Sequence, residues 1–221
     1  MAEKYGEIPK LFTKKWWEYF WDYYKIHTIV IAVIVLLAGT TVYQSVTDPE
    51  YDFNALYAGE YDLIDENAEI LRQRMSEFVT DTDGDGKDGV ALNRISFVNG
   101  TEDPQVEYVS AMRMQLEVTD ENSILFIFDD TKAQYFIGTS EMDGAFLEVS
   151  QWLDGEVSED RLYISEEKAY AVNLKGSKLL EECGINSDNL YIAVRNYIEE
   201  PDEELKEKIA DAKNIANAIV K

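Results

Sequence analysis

The densest chemistry in this chain is the run Asp81-Thr82-Asp83-Gly84-Asp85-Gly86-Lys87-Asp88-Gly89. Aspartates alternating across two glycines crowd carboxylates that repel one another unless a hard cation with oxygen ligands sits among them. Asp81, Asp83 and Asp85 occupy positions one, three and five of a calcium loop, Gly86 takes the sharp turn at six, and Lys87 offers its carbonyl at seven. Position twelve departs from the pattern, being Leu92 where a bidentate Glu belongs, so Asp88 or Glu77 is expected to complete the shell. With three or four anionic ligands an ion here would stabilise and not catalyse. The plainer reading is a solvated acidic turn between a helix and a strand.

Other chemistry is sparse. The single histidine, His27, abuts an apolar stretch near the N-terminus, which leaves residues 48–221 no imidazole for a Ser-His-Asp or Cys-His arrangement or for a histidine-bound zinc. No Gly-rich phosphate loop is present, and among so many acids carboxylate pairs carry no information about glycosidase chemistry. No catalytic residue is assigned. Arg72, Arg74, Arg94, Arg113, Arg161 and Arg195 could clamp an anion, but on an acidic surface they read first as structural counter-charges. The one cysteine, Cys183, precludes an intrachain disulfide and reads as a packed apolar side chain at the end of a short helix stopped by Gly184.

Residues Ile26 to Thr47 hold no Asp, Glu, Lys or Arg, and their 22 positions reach about 33 Å as a helix, enough to cross a bilayer. Lys4, Lys10, Lys14, Lys15 and Lys25 precede this span and the next basic residue is Arg72, which predicts an N-terminus in the cytoplasm and residues 48–221 outside. The 27-residue lead with acids and the lack of a cleavage pattern predict an uncleaved anchor. Leu37-Ala38-Gly39-Thr40 has the shape of a lipoprotein box with Thr40 in place of the lipidated cysteine, so no lipid can be attached there. From Trp16 to Tyr24 seven of nine residues are aromatic, with Lys14, Glu18, Asp22 and Lys25 on one stripe. That pattern predicts a helix lying in the cytoplasmic interface, or else a docking helix for another membrane protein.

Beyond residue 27 the chain carries 40 acidic and 15 basic residues, a net charge of −25 that argues against nucleic acid and anionic lipid as partners. Patterning there predicts strands over Phe53–Ala58, Val90–Phe97, Ile124–Phe128, Ala169–Leu174 and Leu190–Tyr197. A first helix capped by Asp65 turns Ala68, Leu71, Met75 and Phe78 inward. A second, opened by Asp103-Pro104, is expected to turn Val109, Met112 and Leu116 inward. A closing helix after Pro201 repeats Leu205, Ile209, Ala212, Ala216 and Ile219. The expected fold class is α/β: a cytoplasmic segment 1–25 with its interfacial helix, a transmembrane helix 26–47, and one extracytoplasmic domain 48–221 with a mainly parallel sheet of about five strands. In such a sheet ligands bind outside the carboxyl ends of the strands, here Gly59-Glu60, Asn99-Gly100 and Asp129-Asp130. Glu60, Asp129 and Asp130 are therefore the candidate ligand-binding residues, with helix capping the favoured role for the two aspartates.

Three stretches in this order, Ser123-Ile124-Leu125-Phe126-Ile127-Phe128-Asp129, Gly144-Ala145-Phe146-Leu147-Glu148-Val149-Ser150 and Tyr170-Ala171-Val172-Asn173-Leu174, resemble the first lobe of bacterial extracellular solute-binding proteins across about residues 52–197. The resemblance implies a binding domain of a monoderm cell surface. After Leu174 no second lobe follows, so closure of two lobes on a ligand is not implied. The aromatic start, Tyr-Tyr-Lys and span are also similar to those of membrane-anchored proteins of monoderm bacteria. The expected function is a non-enzymatic binding or interaction domain held at a membrane, with calcium as its one expected ion. The bilayer, and another membrane or envelope protein, are its expected partners. An accessory or scaffold subunit of a membrane complex is the alternative, and a calcium-assisted hydrolase ranks below both.

Overall fold

The computed structural model describes residues 10–47, 51–82, 84, 89–97, 104–119, 123–137, 144–165, 167–197 and 200–221; within helices the side chains of 23, 42, 44–47, 104 and 107 are not included. The chain divides into two compact units, Met1–Pro49 and Glu50–Lys221.

The first unit is essentially one helix, α1, Lys14–Thr47. With no proline or glycine between the aromatic segment and the span, nothing interrupts the hydrogen-bond ladder, and 34 residues give a rod of about 51 Å. The aromatic segment forms the first turns of this same helix. Its window Tyr24–Thr41 is long and apolar enough to cross a membrane. Aromatic rings four residues apart stack along one side, with Trp16–Phe20 and Phe20–Tyr24 centroids 5.4 and 5.8 Å apart, and Phe12, just before the helix, packs tilted on Trp16 at 5.5 Å.

The second unit is α/β. A six-stranded sheet in the order β2-β1-β3-β6-β5-β4 is built from β1 (Phe53–Gly59), β2 (Val90–Ser96), β3 (Ser123–Asp129), β4 (Leu162–Ser165), β5 (Lys168–Asn173) and β6 (Leu190–Val194). The strands β2, β1 and β3 run parallel, as their helical crossovers require; β6, β5 and β4 are antiparallel to their neighbours. The sheet is therefore mixed, with six strands and not five. The unexpected strand, β4, is four half-exposed residues on an edge, too short for an alternating pattern to register.

Helices cover both faces. On one, Phe53, Ala55, Leu125, Ile127, Val172 and Ile192 pack under Leu71 and Met75 of α2 (Asp65–Ser76), Leu180 of α5 (Lys178–Glu182) and Ala212, Ile215, Ala216 and Ile219 of α6 (Glu203–Val220). On the other, Leu56, Phe126 and Phe128 pack under Met114 of α3 (Pro104–Thr119) and Ala133, Phe136 and Ile137 of α4 (Asp130–Ile137). Central β3 is buried on both faces from Ser123 to Phe128, as its unbroken apolar run requires.

Two expectations about helix faces and caps change. In α3 the inward residue is Met114, fully buried, while Val109, Met112 and Leu116 point outward at 54, 47 and 66% exposure. The helix carries two apolar stripes about 180° apart, and Ser110 fixes which one docks by donating to the Ser96 carbonyl of β2 at 3.0 Å. In α2, Asp65 is the first helical residue and Ile64 stands at the cap position without a side-chain bond, because the Asp65 carboxylate is drawn to Arg94 at 2.7 Å. The α6 stripe packs as expected, with Asp202 capping the helix through the Leu205 N–H.

Candidate functional site

The chain leaves β1 for a helix on one face and enters β3 from a helix on the other, so the carboxyl ends of β1 and β3 form the switch point where open sheets bind ligands. Two of the three expected strand-end segments meet here; the third, Asn99-Gly100, lies outside the described residues. Asp129 closes the end of β3 and caps α4: its Oδ1 accepts the Lys132 N–H at 2.8 Å, and its Oδ2 accepts the Glu60 N–H from the end of β1. Both oxygens thus serve the backbone. Asp130, in the first turn of α4, accepts from Gln134 Nε2 at 3.1 Å. Capping, the role favoured from sequence for both aspartates, is what the geometry gives Asp129; Asp130 instead lies within the helix and bonds a side chain one turn on.

Beneath this junction the Tyr57 hydroxyl donates to the Tyr61 carbonyl at 3.0 Å. Burial, then the negative charges of Asp129 and Asp62, push its phenol up to about 12, so it holds its proton at neutral pH. Gly59 leaves room for the phenol: a Cβ there would stand 2.6 Å from the Tyr57 oxygen and would push the ring off its bond to Tyr61. The Lys132 ammonium lies over the Phe97 ring at 4.1 Å. The junction holds an acceptor and a phenol that are both already engaged, which makes it a fastening point more than a reactive centre.

Of the expected shell Asp81 and Glu77 are described, with Asp81 Oδ1 accepting the Gly84 N–H at 2.7 Å; Asp83, Asp85, Lys87 and Asp88 lie outside the described residues. Glu77 is turned to Arg74 at 3.1 Å. Leu92 belongs to β2, paired with Ala55, so the twelfth position of a calcium loop is inside the sheet. Among the described residues no three metal-ligating side chains come together.

What the structure adds is the neck of this loop. Asp52, 4% exposed, accepts the Thr82 N–H and hydroxyl with Oδ1 at 2.8 and 2.9 Å and the Gly89 N–H with Oδ2 at 2.9 Å. Phe53 N–H closes on the Gly89 carbonyl at 3.1 Å. One residue before the loop, Thr80 donates its N–H to buried Asp211 of α6 at 2.8 Å. Sequence reasoning missed Asp52 and Asp211, since nothing marks two buried carboxylates among 44 acids.

Five of the six arginines behave as counter-charges and carbonyl caps. Arg72 pairs with Glu69, Arg74 with Glu77 and Glu182, and Arg94 with Asp62 and Asp65. Arg161 donates to the Asn173 and Val220 carbonyls. Arg195, buried, donates to the carbonyls of Ser123 at 2.6 Å, Glu117 at 3.0 Å and Val118 at 2.6 Å, tying α3 to β3. Cys183 is buried as expected, and burial raises its thiol pKa. Near the β4 edge an open groove of about 310 Å³ has Val149, Leu153, Val157 and Leu162 in its wall and a Lys168–Glu148 ion pair of 2.7 Å at its rim.

No protein family, curated protein or solved structure matches this chain.

Proposed function

We propose that this protein is a single-pass, membrane-anchored interaction domain, with its N-terminus in the cytoplasm and residues 48–221 outside, acting by binding and not by turnover. The observation that carries the reading is the outward apolar stripe of α3, left uncovered on a domain whose strand-end carboxylate and buried arginine are spent on its own backbone. Uncovered apolar patches rimmed by polar residues mark interaction sites. The Lys asymmetry around the α1 span supports the orientation. Calcium enters this reading as a stabiliser of loop 81–89.

Protease added to intact protoplasts should remove epitopes in residues 48–221 and spare residues 1–27; the reverse pattern refutes the orientation. Reproducible hydrolysis of sugars or peptides by the purified full chain would refute the binding role. The exposed Trp17 and Trp21 on α1 favour a second reading, an accessory subunit that docks through its anchor. That reading requires co-purification to depend on those two rings.

A further inference from the structure

The sequence of α3 would give most amphipathic helices one apolar face, and it gives this one two. Ser110, Met114 and Val118 face the sheet, where Ser110 holds Ser96 and the Glu117 carboxylate takes the Ser123 hydroxyl at 2.7 Å. On the opposite side Tyr108, Val109, Met112 and Leu116 are 65, 54, 47 and 66% exposed. Spacings of three and four keep these residues on one line along the helix.

We propose that this stripe pairs with the same stripe of a second copy of the chain, α3 against α3 in antiparallel array about a two-fold axis near Met112. Three observations select this occupant. First, an isologous contact needs a patch that maps onto itself when reversed, and the stripe does: with Met112 on the axis, Tyr108 of each copy lies opposite Leu116 of the other. Second, the stripe offers roughly 500 Å² of surface per copy, so a pair buries about 1,000 Å², the lower bound for a specific interface. Two copies anchored in one bilayer raise their mutual concentration toward the millimolar range, where an interface of that size suffices. Third, every exposed side chain described on α3 is apolar, uncharged or Arg113, on a domain of net charge −25. Like-charged copies repel least across such a face, on which no acidic side chain is exposed among the described residues.

The proposal rests on the interaction-domain reading for its setting and names that domain's partner. It also fixes a sign: added salt screens the repulsion between the two acidic bodies and should strengthen pairing, whereas a basic partner would be released by salt.

The test uses the full chain in vesicles of zwitterionic lipid. Native Cys183 is buried, so a single introduced thiol reports alone. Met112→Cys should cross-link to itself with a short bifunctional maleimide at least tenfold faster than Glu207→Cys, an exposed position on α6, and the rate should rise between 50 and 500 mM salt. Adding Leu116→Asp, or Leu116→Ser should the aspartate unfold the domain, should return the rate to that of Glu207→Cys. Equal rates at the two thiols, indifference to Leu116, or a rate that falls with salt overturns the proposal. A reversed protease topology would sink the anchored-outside reading and leave the cross-linking result standing; absent cross-linking with correct topology would sink the pairing alone.

Discussion

Removing the Asp52 carboxylate should unfasten the acidic loop and weaken the whole second unit. Among the described residues it accepts three hydrogen bonds, two from Thr82 and one from Gly89, in a site 4% exposed. Bonds to a charged buried acceptor contribute about 1.5–3 kcal/mol each when broken singly, and two backbone N–H groups left without a partner lose their solvation as well. Because the three share one carboxylate, their losses do not add, and Asp52→Ala is expected to cost about 4 kcal/mol. Asp52→Asn keeps one acceptor for Thr82 but turns an NH₂ toward the Gly89 N–H, or the reverse, at about 2 kcal/mol. At about 2–4 °C per kcal/mol for a unit of this size, Ala should lower the melting midpoint by roughly 8–16 °C and Asn by roughly 4–8 °C. The assay is thermal unfolding of the full chain in nanodiscs, followed by fluorescence of Trp152, the only tryptophan outside α1 and itself buried. Limited proteolysis should at the same time cut Asp52→Ala within 81–89 faster than the parent protein. A shift under 2 °C for Ala, with unchanged cleavage, would refute the claim that the neck is held by this side chain.

Tyr57 sets an alkaline limit. Below pH 10 the phenol is neutral in folded and unfolded chains and its contribution is whole; from 10 to about 12 the unfolded chain sheds the proton first, so stability falls by about 2–3 kcal/mol. Tyr57→Phe loses the bond to Tyr61 at neutral pH, about 1 kcal/mol, but should be the more stable protein near pH 12; a constant difference across denaturant titrations at pH 8 to 12 would contradict this. Cys183 should react with maleimide at least a hundredfold slower than free cysteine at pH 8, and at the unfolding rate in denaturant; fast labelling of the native chain would show the α5 end open. For loop 81–89, calcium at about 100 times its dissociation constant should stabilise by ~2.7 kcal/mol, a midpoint shift of several degrees that magnesium does not reproduce. Identical melting in millimolar calcium and in chelator would end the metal reading.

The fold was legible where burial is complete. The apolar run Ile124–Phe128 read as a strand covered on both faces and is one, and the α6 repeat of Leu205, Ile209, Ala212, Ala216 and Ile219 matches the side that packs. The parallel half followed from strand–helix alternation. Its continuation was hidden because Leu162–Ser165 is a short edge strand joined to β5 by a turn in which Glu167 adopts φ +70°, a conformation that Gly or Asn usually announces. A glycine there would have signalled a hairpin and therefore antiparallel pairing.

The misassigned face of α3 and the missed neck have one physical origin. Periodicity reports that a helix has an apolar side, and in α3 two sides qualify; the choice between them was made by Ser110 reaching Ser96 and by Arg195 capping the Glu117 and Val118 carbonyls, long-range polar contacts with no local signature. Asp52 is equally silent in sequence, since a buried carboxylate is distinguished from a solvated one only by the N–H groups that surround it in space. In a chain with 44 acids, the carboxylates that decide structure are the few removed from water. The pairing proposed above places recognition correspondingly where acids are missing. Among the described residues the outward side of α3 exposes no acidic side chain, so that proposal assigns contact to its apolar residues more than to the acidic loop that dominates the sequence.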